Sequence, residues 1–230
     1  YVVIEAMNKR FLKQHFPNQP ITVINRGVNG EEAAEMVARL DEGVLSERPD
    51  LILWQVGANA VLRDNPIPAV RSDILEGLRR MKASGADVIL IDPQFAPKVL
   101  AKREAETMVD VIATAAKSQN VDLFRRFAVM RHWRQVARIP FETFISPDEL
   151  HMNDWSYACV AKLLGATIAE AATRATAVAG VPTATAKAAA SAPGPPREKR
   201  AAHPARAAPQ PPTPPPPARP PTRAHGGDTR

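Results

Sequence analysis

Cysteine and long apolar runs are what this sequence most conspicuously lacks. Its single cysteine, Cys159, cannot form an intrachain disulfide, and no grouping of cysteine and histidine has the spacing of a zinc site. No stretch reaches the roughly 18 apolar residues that a membrane-spanning helix requires. We therefore expect no disulfide framework, no zinc centre and no membrane span within these residues, and the sequence implies no metal or organic cofactor.

Excess positive charge is absent from most of the chain. The 230 residues carry a formal net charge of +6. All of that excess lies beyond Val181, where eight Lys and Arg residues outnumber Glu198 and Asp228. Residues 1–180 are neutral, so they have no basic surface that could follow nucleic-acid phosphates. A nucleic-acid partner is not expected.

The composition changes near Ala175. Alanine and proline dominate from there on, as in the run Pro214–Pro217, and large apolar residues almost disappear. Such a segment cannot bury enough apolar surface to offset the entropy lost on ordering. We predict a folded domain over residues 1–175. Residues 176–230 are predicted to form a disordered, basic, Ala/Pro-rich tail with local polyproline II character.

Before the tail, the sequence alternates between strand-like and helix-like segments. Four short apolar or β-branched runs have the length of buried strands, at residues 21–24, 51–56, 87–91 and 121–124. Segments with helical apolar spacing surround them, at residues 2–15, 31–40, 68–83, 102–118, 125–136 and 154–174. This alternation predicts an α/β fold, a doubly wound, flavodoxin-like parallel sheet with helices on both faces.

The first helix has no strand before it. A doubly wound domain normally opens on a strand, and Val2–His15 has the pattern of the crossover helix that follows one. The chain also starts at Tyr1 rather than at methionine. We therefore expect the first strand to be missing from these 230 residues. The predicted sheet has four parallel strands with a gap or an abnormal pairing.

Polar residues follow the carboxyl ends of two predicted strands, at the edge where open α/β sheets bind ligands. Gly30 lies in the turn after residues 21–24, and its N–H could face an anion near a helix N-terminus. Asn59 follows residues 51–56, and its side-chain N–H is the kind of donor that stabilises an oxyanion. A plain turn glycine and a capping asparagine are equally ordinary explanations.

Asp148 and His151 occupy the segment before the last helix. An aspartate three residues before a histidine can accept the imidazole Nδ1–H, which fixes the tautomer and leaves Nε2 as a general base. The spacing is common by chance. The other histidines lie in helical segments or in the tail, without such a partner.

Taken together and in this order, Gly30, Asn59 and Asp148-x-x-His151 resemble blocks two, three and five of the SGNH/GDSL hydrolase family. The resemblance covers about residues 1–174. It implies a five-stranded parallel sheet and an ester hydrolase that acts on a small-molecule, glycan or lipid ester. In that family, the residues at these positions are oxyanion donors (Gly30, Asn59), the base (His151) and the residue that orients it (Asp148).

Two departures from the family pattern affect the expected site. Ala60 stands where the family usually has Asp, and the Gly-Asp-Ser of block one is absent, since none of the seven serines has that context. Ser146 shares the loop of His151 rather than facing it. The resemblance puts the missing strand between residues 21–24 and 51–56. We expect the nucleophile to lie upstream of Tyr1, and residues 1–230 to be unstable or inactive alone.

Two other functions fit the same residues. One is a non-catalytic carbohydrate- or envelope-binding relative, which would have no serine at the end of its first strand. The other is a flavodoxin-like nucleotide- or effector-binding domain, which would need an anion site at residues 27–30 and would bind nucleotide when purified.

Overall fold

The computed structural model describes residues 12–14 and 16–179, with side chains up to residue 172. Residues 12–14 are helical. The rest of the helix predicted for Val2–His15 lies outside the described residues. So does nearly all of the tail predicted for residues 176–230.

The described residues form one parallel sheet of three strands in the order β1-β2-β3. The strands are β1 (Leu51–Gln55), β2 (Asp87–Ile91) and β3 (Asp122–Phe124). Gln55 lies opposite Ile91 in the first pair of strands, and Ile91 lies opposite Phe124 in the second. The carboxyl ends of all three strands therefore meet at one edge of the sheet. The predicted α/β class is confirmed.

Helices connect and flank the strands. They are α1 (Ala33–Ala38), α2 (Leu40–Gly43), α3 (Ala58–Leu62), α4 (Ile67–Ala83), α5 (Pro97–Leu100), α6 (Ala105–Gln119), α7 (Arg126–Gln135), α8 (Phe141–Phe144) and α9 (Asp154–Ala179). A single 3₁₀ turn covers Leu45–Glu47. The crossover helices α4 and α6 pack against each other, and α1 packs against α4.

The core extends over both faces of the sheet. Four consecutive residues of β2, from Val88 to Ile91, are buried. Because successive strand residues point to opposite faces, this continuous burial means that both faces of β2 are covered. Helix α9 contributes Val160 and Leu164 to the same core.

Close contact between β1 and α4 depends on a glycine. A Cβ added at Gly77 of α4 would lie 2.4 Å from the Trp54 ring, a distance that real side chains do not adopt. The Trp54 indole N–H points to Met36 Sδ at 3.1 Å, so the ring lies between α4 and α1. Glycine, which weakens a helix by its flexibility, is thus required here for packing.

The prediction of a strand at residues 21–24 is wrong. Ile21 to Ile24 form no strand, and within the described part of the chain their backbone groups make no backbone hydrogen bonds. A strand is stable only when a neighbour satisfies its N–H and C=O groups, and no described backbone group hydrogen-bonds to this segment. The described sheet therefore has three strands, not four.

Residues 138–153, between the helices predicted for residues 125–136 and 154–174, contain local structure. Helix α8 is followed by an antiparallel bridge between Ile145 and Met152. Asn153 then caps α9, because its Oδ1 accepts the Ser156 N–H at 3.2 Å. The segment between the two bridge residues is a short turn that projects from the sheet edge, and it carries Asp148 and His151.

Candidate active site

Asp148 folds the turn around its own carboxylate. Its Oδ1 accepts the backbone N–H of Leu150 at 3.0 Å and that of His151 at 2.9 Å. Its Oδ2 lies 2.5 Å from Nδ1 of the His151 ring. Glu149, between them, has a φ of 61°. Aspartate side chains commonly bond backbone groups two residues ahead in this way, which accounts for the tight turn.

These hydrogen bonds hold Asp148 in its charged form. They lower the pKa of Asp148 to about 2, with the His151 side chain as the largest cause and the His151 backbone N–H as the next. The carboxylate is therefore ionised at neutral pH and orients the imidazole through Nδ1. Among the described residues Nε2 has no hydrogen-bond partner, and the His151 side chain is 62% exposed. The ring can therefore take a proton from a group that approaches from solvent.

Three backbone contacts support the turn. The Ser146 N–H donates to the His151 carbonyl at 2.7 Å, and the Lys98 N–H donates to the Glu149 carbonyl at 3.1 Å. The side-chain amide of Gln94 donates to the Leu150 carbonyl at 3.3 Å. The turn is thus anchored to the segment that follows β2.

Beneath the turn, a buried arginine connects the ends of the three strands. The Arg126 side chain donates to the Asp92 carbonyl at 3.0 Å, to Gln55 Oε1 at 2.8 Å and to Gln94 Oε1 at 3.1 Å. The site residues predicted from the sequence do not include these side chains. A sequence pattern nevertheless points to them, since polar side chains at or directly after the carboxyl ends of buried strands mark the functional edge of an open α/β sheet.

Asp92 is the most deeply buried acid at this edge, at 1% exposure. Its Oδ1 accepts the Phe127 N–H at 2.8 Å, whereas Oδ2 has no hydrogen-bond partner among the described residues. Burial raises the pKa of Asp92 to about 6, against the opposing effect of the Phe127 N–H. The group thus titrates near neutral pH.

Asn59 lies in the first turn of α3, after Gly57, whose φ of 93° turns the chain from β1 into the helix. The Asn59 Nδ2 donates to the backbone carbonyl of Glu31 at 2.8 Å. Asn59 is therefore hydrogen-bonded to the backbone of the residue that directly follows Gly30. An amide nitrogen carries two hydrogens, and the second has no partner among the described residues.

Gly30 is exposed and has a φ of 79°, in the left-handed region that favours glycine. A Cβ at this position would lie 3.5 Å from Nη2 of Arg63. Arg63 also pairs with Glu32 at 2.5 Å. Gly30 thus lies beside a guanidinium at the edge of the sheet.

The structure forms two pairs from the predicted site residues, Asn59 with the Gly30 segment and Asp148 with His151. No hydrogen bond joins the two pairs within the described residues. The hydroxyls of Ser146 and Ser156 bond to backbone carbonyls, so neither is oriented toward His151.

Other kinds of site find no support in the described part of the chain. There, no group of three or more His, Cys, Asp or Glu residues is placed to hold a metal ion. Nor do the described helices include one with the length and apolar character to cross a membrane.

Comparison with known proteins relates the chain to lipases and esterases. The model of the non-GDSL lipase-like family matches residues 5–174. An arylesterase of Vibrio mimicus is 31% identical over 109 residues, which are 47% of this chain and 54% of the arylesterase. The chain thus spans about half the length of that curated relative.

Solved structures show the same fold. An acetyl xylan esterase superposes with a TM-score of 0.62 at 18% identity, over 71% of this chain and 89% of its own. A lipolytic protein of the G-D-S-L family from Desulfitobacterium hafniense gives a TM-score of 0.59 at 16% identity, over 70% and 86%. These likenesses and the family match confirm the resemblance drawn from the sequence motifs. The chain belongs to the non-GDSL lipase-like family.

Proposed function

We propose that the complete protein hydrolyses carboxyl esters with a Ser-His-Asp triad. His151 is the general base, and Asp148 orients it. The serine comes from a segment outside the 230 residues. The observation that carries this proposal is the 2.5 Å contact between Asp148 Oδ2 and His151 Nδ1, with Nε2 directed to no other described group. It is the arrangement that a base needs when it activates a hydroxyl.

In the proposed reaction, the serine Oγ attacks the acyl carbonyl and gives its proton to His151 Nε2. The carbonyl oxygen becomes an oxyanion, which accepts hydrogen bonds from the Gly30 N–H and the second Asn59 N–H. His151 then protonates the departing alcohol, and the C–O bond breaks. Water, deprotonated by His151, releases the acid and restores the serine.

The free edge of β1 supports the location of the serine. β2 pairs with one edge of β1, and within the described residues no strand pairs with the other. A parallel strand at that edge would end on the same side of the sheet as Asn59. A serine at its end would lie near the oxyanion donors.

We propose acetyl or other small carboxyl esters, on a glycan or a lipid, as the substrate class. The names of the similar proteins, an arylesterase and an acetyl xylan esterase, support it. The same proposal divides the chain into a catalytic domain of residues 1–175 and an Ala/Pro-rich tail of residues 176–230.

The test is an ester-hydrolysis assay on the complete protein, with p-nitrophenyl acetate and acetylated xylo-oligosaccharide. His151→Ala should reduce turnover by several orders of magnitude, as loss of a triad member does elsewhere. His132→Ala is the matched control, because His132 is an exposed residue of α7. Wild-type turnover in His151→Ala would exclude His151 as the base. Binding of the glycan without release of acetate would instead identify a non-catalytic relative.

A further inference from the structure

Arg126 is a charged side chain in an unusual place. It is 4% exposed, although burying a guanidinium is costly unless acceptors satisfy its N–H groups. Three of its acceptors come from the ends of two strands. Gln55 is the last residue of β1, whereas Asp92 and Gln94 follow β2. Arg126 itself follows β3, so one side chain connects all three strand ends.

The contacts of Gln94 fix which way its amide points. A guanidinium only donates, so the Gln94 atom that faces Arg126 must be the oxygen. The amide nitrogen then points the other way, toward the Leu150 carbonyl at 3.3 Å. Gln94 is 7% exposed, so water does not readily replace either contact.

Leu150 connects this buried network to the candidate base. It directly precedes His151, and its own N–H donates to Asp148 Oδ1. The His151 side chain is 62% exposed and has little packing of its own. The orientation of the ring therefore depends on the backbone of the turn, and Gln94 is the buried side chain that holds that backbone.

We propose that Gln94, held in place by Arg126, is a positioning residue for the turn that carries His151. Its kinetic consequence rests on the proposed ester hydrolysis, whereas its structural consequence does not. Gln94 touches no reacting group. It holds the Leu150 carbonyl so that the Asp148 carboxylate and the His151 ring keep one relative orientation.

Two glutamines of the network allow a matched experiment. Gln94→Glu keeps an oxygen toward Arg126 but removes the N–H that reaches Leu150. Gln55→Glu makes the same chemical change against the same guanidinium, and among the described residues the Gln55 side chain makes no hydrogen bond to the turn. A difference between the two variants therefore reports the loss of the Leu150 contact rather than the added charge.

The first readout is made by NMR on the complete protein. In Gln94→Glu we expect the His151 amide to exchange at least about tenfold faster than in the wild type, with unchanged exchange in α4. The ¹⁵N chemical shift of His151 Nδ1 should change, because its contact with Asp148 loosens. Gln55→Glu should leave both at the wild-type values. A role in stability alone would not change the chemical shift of this one ring.

The second readout is kinetic. Gln94→Glu should lower kcat at least about tenfold with little change in KM, since misplacing a catalytic group by about 1 Å can cost a hundredfold. Absence of hydrolysis by the wild type would contradict the proposed function. The amide exchange and the Nδ1 chemical shift of His151 would still decide whether Gln94 positions the turn.

A second variant covers the case in which Gln94→Glu unfolds. Gln94→Met keeps the length of the side chain and removes both polar contacts without burying a charge. It should reproduce the faster exchange of the His151 amide. A wild-type amide exchange rate and Nδ1 chemical shift of His151 in Gln94→Met, or equal changes in Gln94→Glu and Gln55→Glu, would overturn the proposal.

Discussion

The side-chain amide of Asn59 donates a 2.8 Å hydrogen bond to the backbone carbonyl of Glu31. These two residues are 28 positions apart, and the bond holds the start of α3 against the segment that carries Gly30. One N–H of Asn59 thus positions the loop, and the other has no partner among the described residues. This arrangement fits a fixed donor for an oxyanion, which is effective because it does not reorganise during the reaction.

The first prediction concerns that donor. Asn59→Ala in the complete protein should lower kcat by roughly a hundredfold to a thousandfold, the usual cost of one oxyanion donor, with a smaller change in KM. Steady-state kinetics on p-nitrophenyl acetate measures both. Asn65→Ala is the control, because the Asn65 amide bonds to the Glu32 carboxylate instead. An unchanged kcat in Asn59→Ala would remove Asn59 from the site.

The second prediction concerns Asp148. Its pKa of about 2 means that it is ionised throughout the range in which esterases are assayed. Asp148→Asn should lower kcat by about ten-thousandfold, because an amide no longer selects the required tautomer of His151. The wild-type rate should show no inflection from Asp148 between pH 4 and pH 8. A retained rate in Asp148→Asn would show that His151 needs no orienting carboxylate.

The sign of the Asp148 effect on stability follows from the same shift. The folded-state pKa is lower than the ordinary value of 3.8. The contribution of this group to folding is therefore complete above that value and is lost as the pH falls toward 2.

The third prediction concerns Asp92, whose effect on folding stability changes with pH in the opposite direction. Its folded-state pKa of about 6 exceeds the ordinary 3.8, so the unfolded chain releases this proton first as the pH rises. Stability should fall between about pH 4 and pH 6, by about 3 kcal/mol for this group alone. Asp92→Asn retains an acceptor for the Phe127 N–H. It should remove most of this fall in stability with pH. Urea denaturation at several pH values measures the free energy of unfolding. An equally steep fall in Asp92→Asn would show that Asp92 does not cause this pH dependence.

The fourth prediction concerns the contact between α4 and β1. Gly77→Ala should destabilise the fold by about 1–3 kcal/mol, although alanine favours helices, because the new methyl group overlaps the Trp54 ring. Thermal and urea denaturation measure the change. In the Trp54→Leu background the same substitution should cost less, since the ring is gone.

A matched glycine provides the control for that experiment. A Cβ at Gly43 of α2 would meet only the Arg39 side chain, at 3.1 Å from its flexible end. Gly43→Ala should therefore change stability by less than Gly77→Ala. Equal losses at the two positions would show that the effect does not come from Trp54.

The parts of the fold predicted from the sequence are those with strong local patterns. The apolar runs of β1 and β2 and the amphipathic helix α4 appear within a residue or two of their predicted positions. The strand expected at residues 21–24 does not form, because β structure depends on a neighbour that local pattern cannot supply. Short helices such as α3 and α8 carry too few residues to show a period.

The candidate site likewise has one part that the sequence predicts and one part that it does not. Asp148 and His151 are three residues apart, so their contact is a local property that the spacing anticipates. The network of Gln55, Gln94 and Arg126 joins residues up to 71 positions apart, and no local spacing identifies it. In the sequence its members are recognisable only as polar residues at or just after the ends of strands, without any indication that they meet.

The central claim, that His151 and Asp148 activate a serine, is tested most directly by covalent labelling. The complete protein is treated with a fluorophosphonate, which modifies activated serines, and the labelled peptide is mapped by mass spectrometry. We predict one labelled serine in the wild type and loss of that labelling in His151→Ala, with His132→Ala labelled normally. A folded wild-type protein that takes no label, or equal labelling in His151→Ala, would contradict the account.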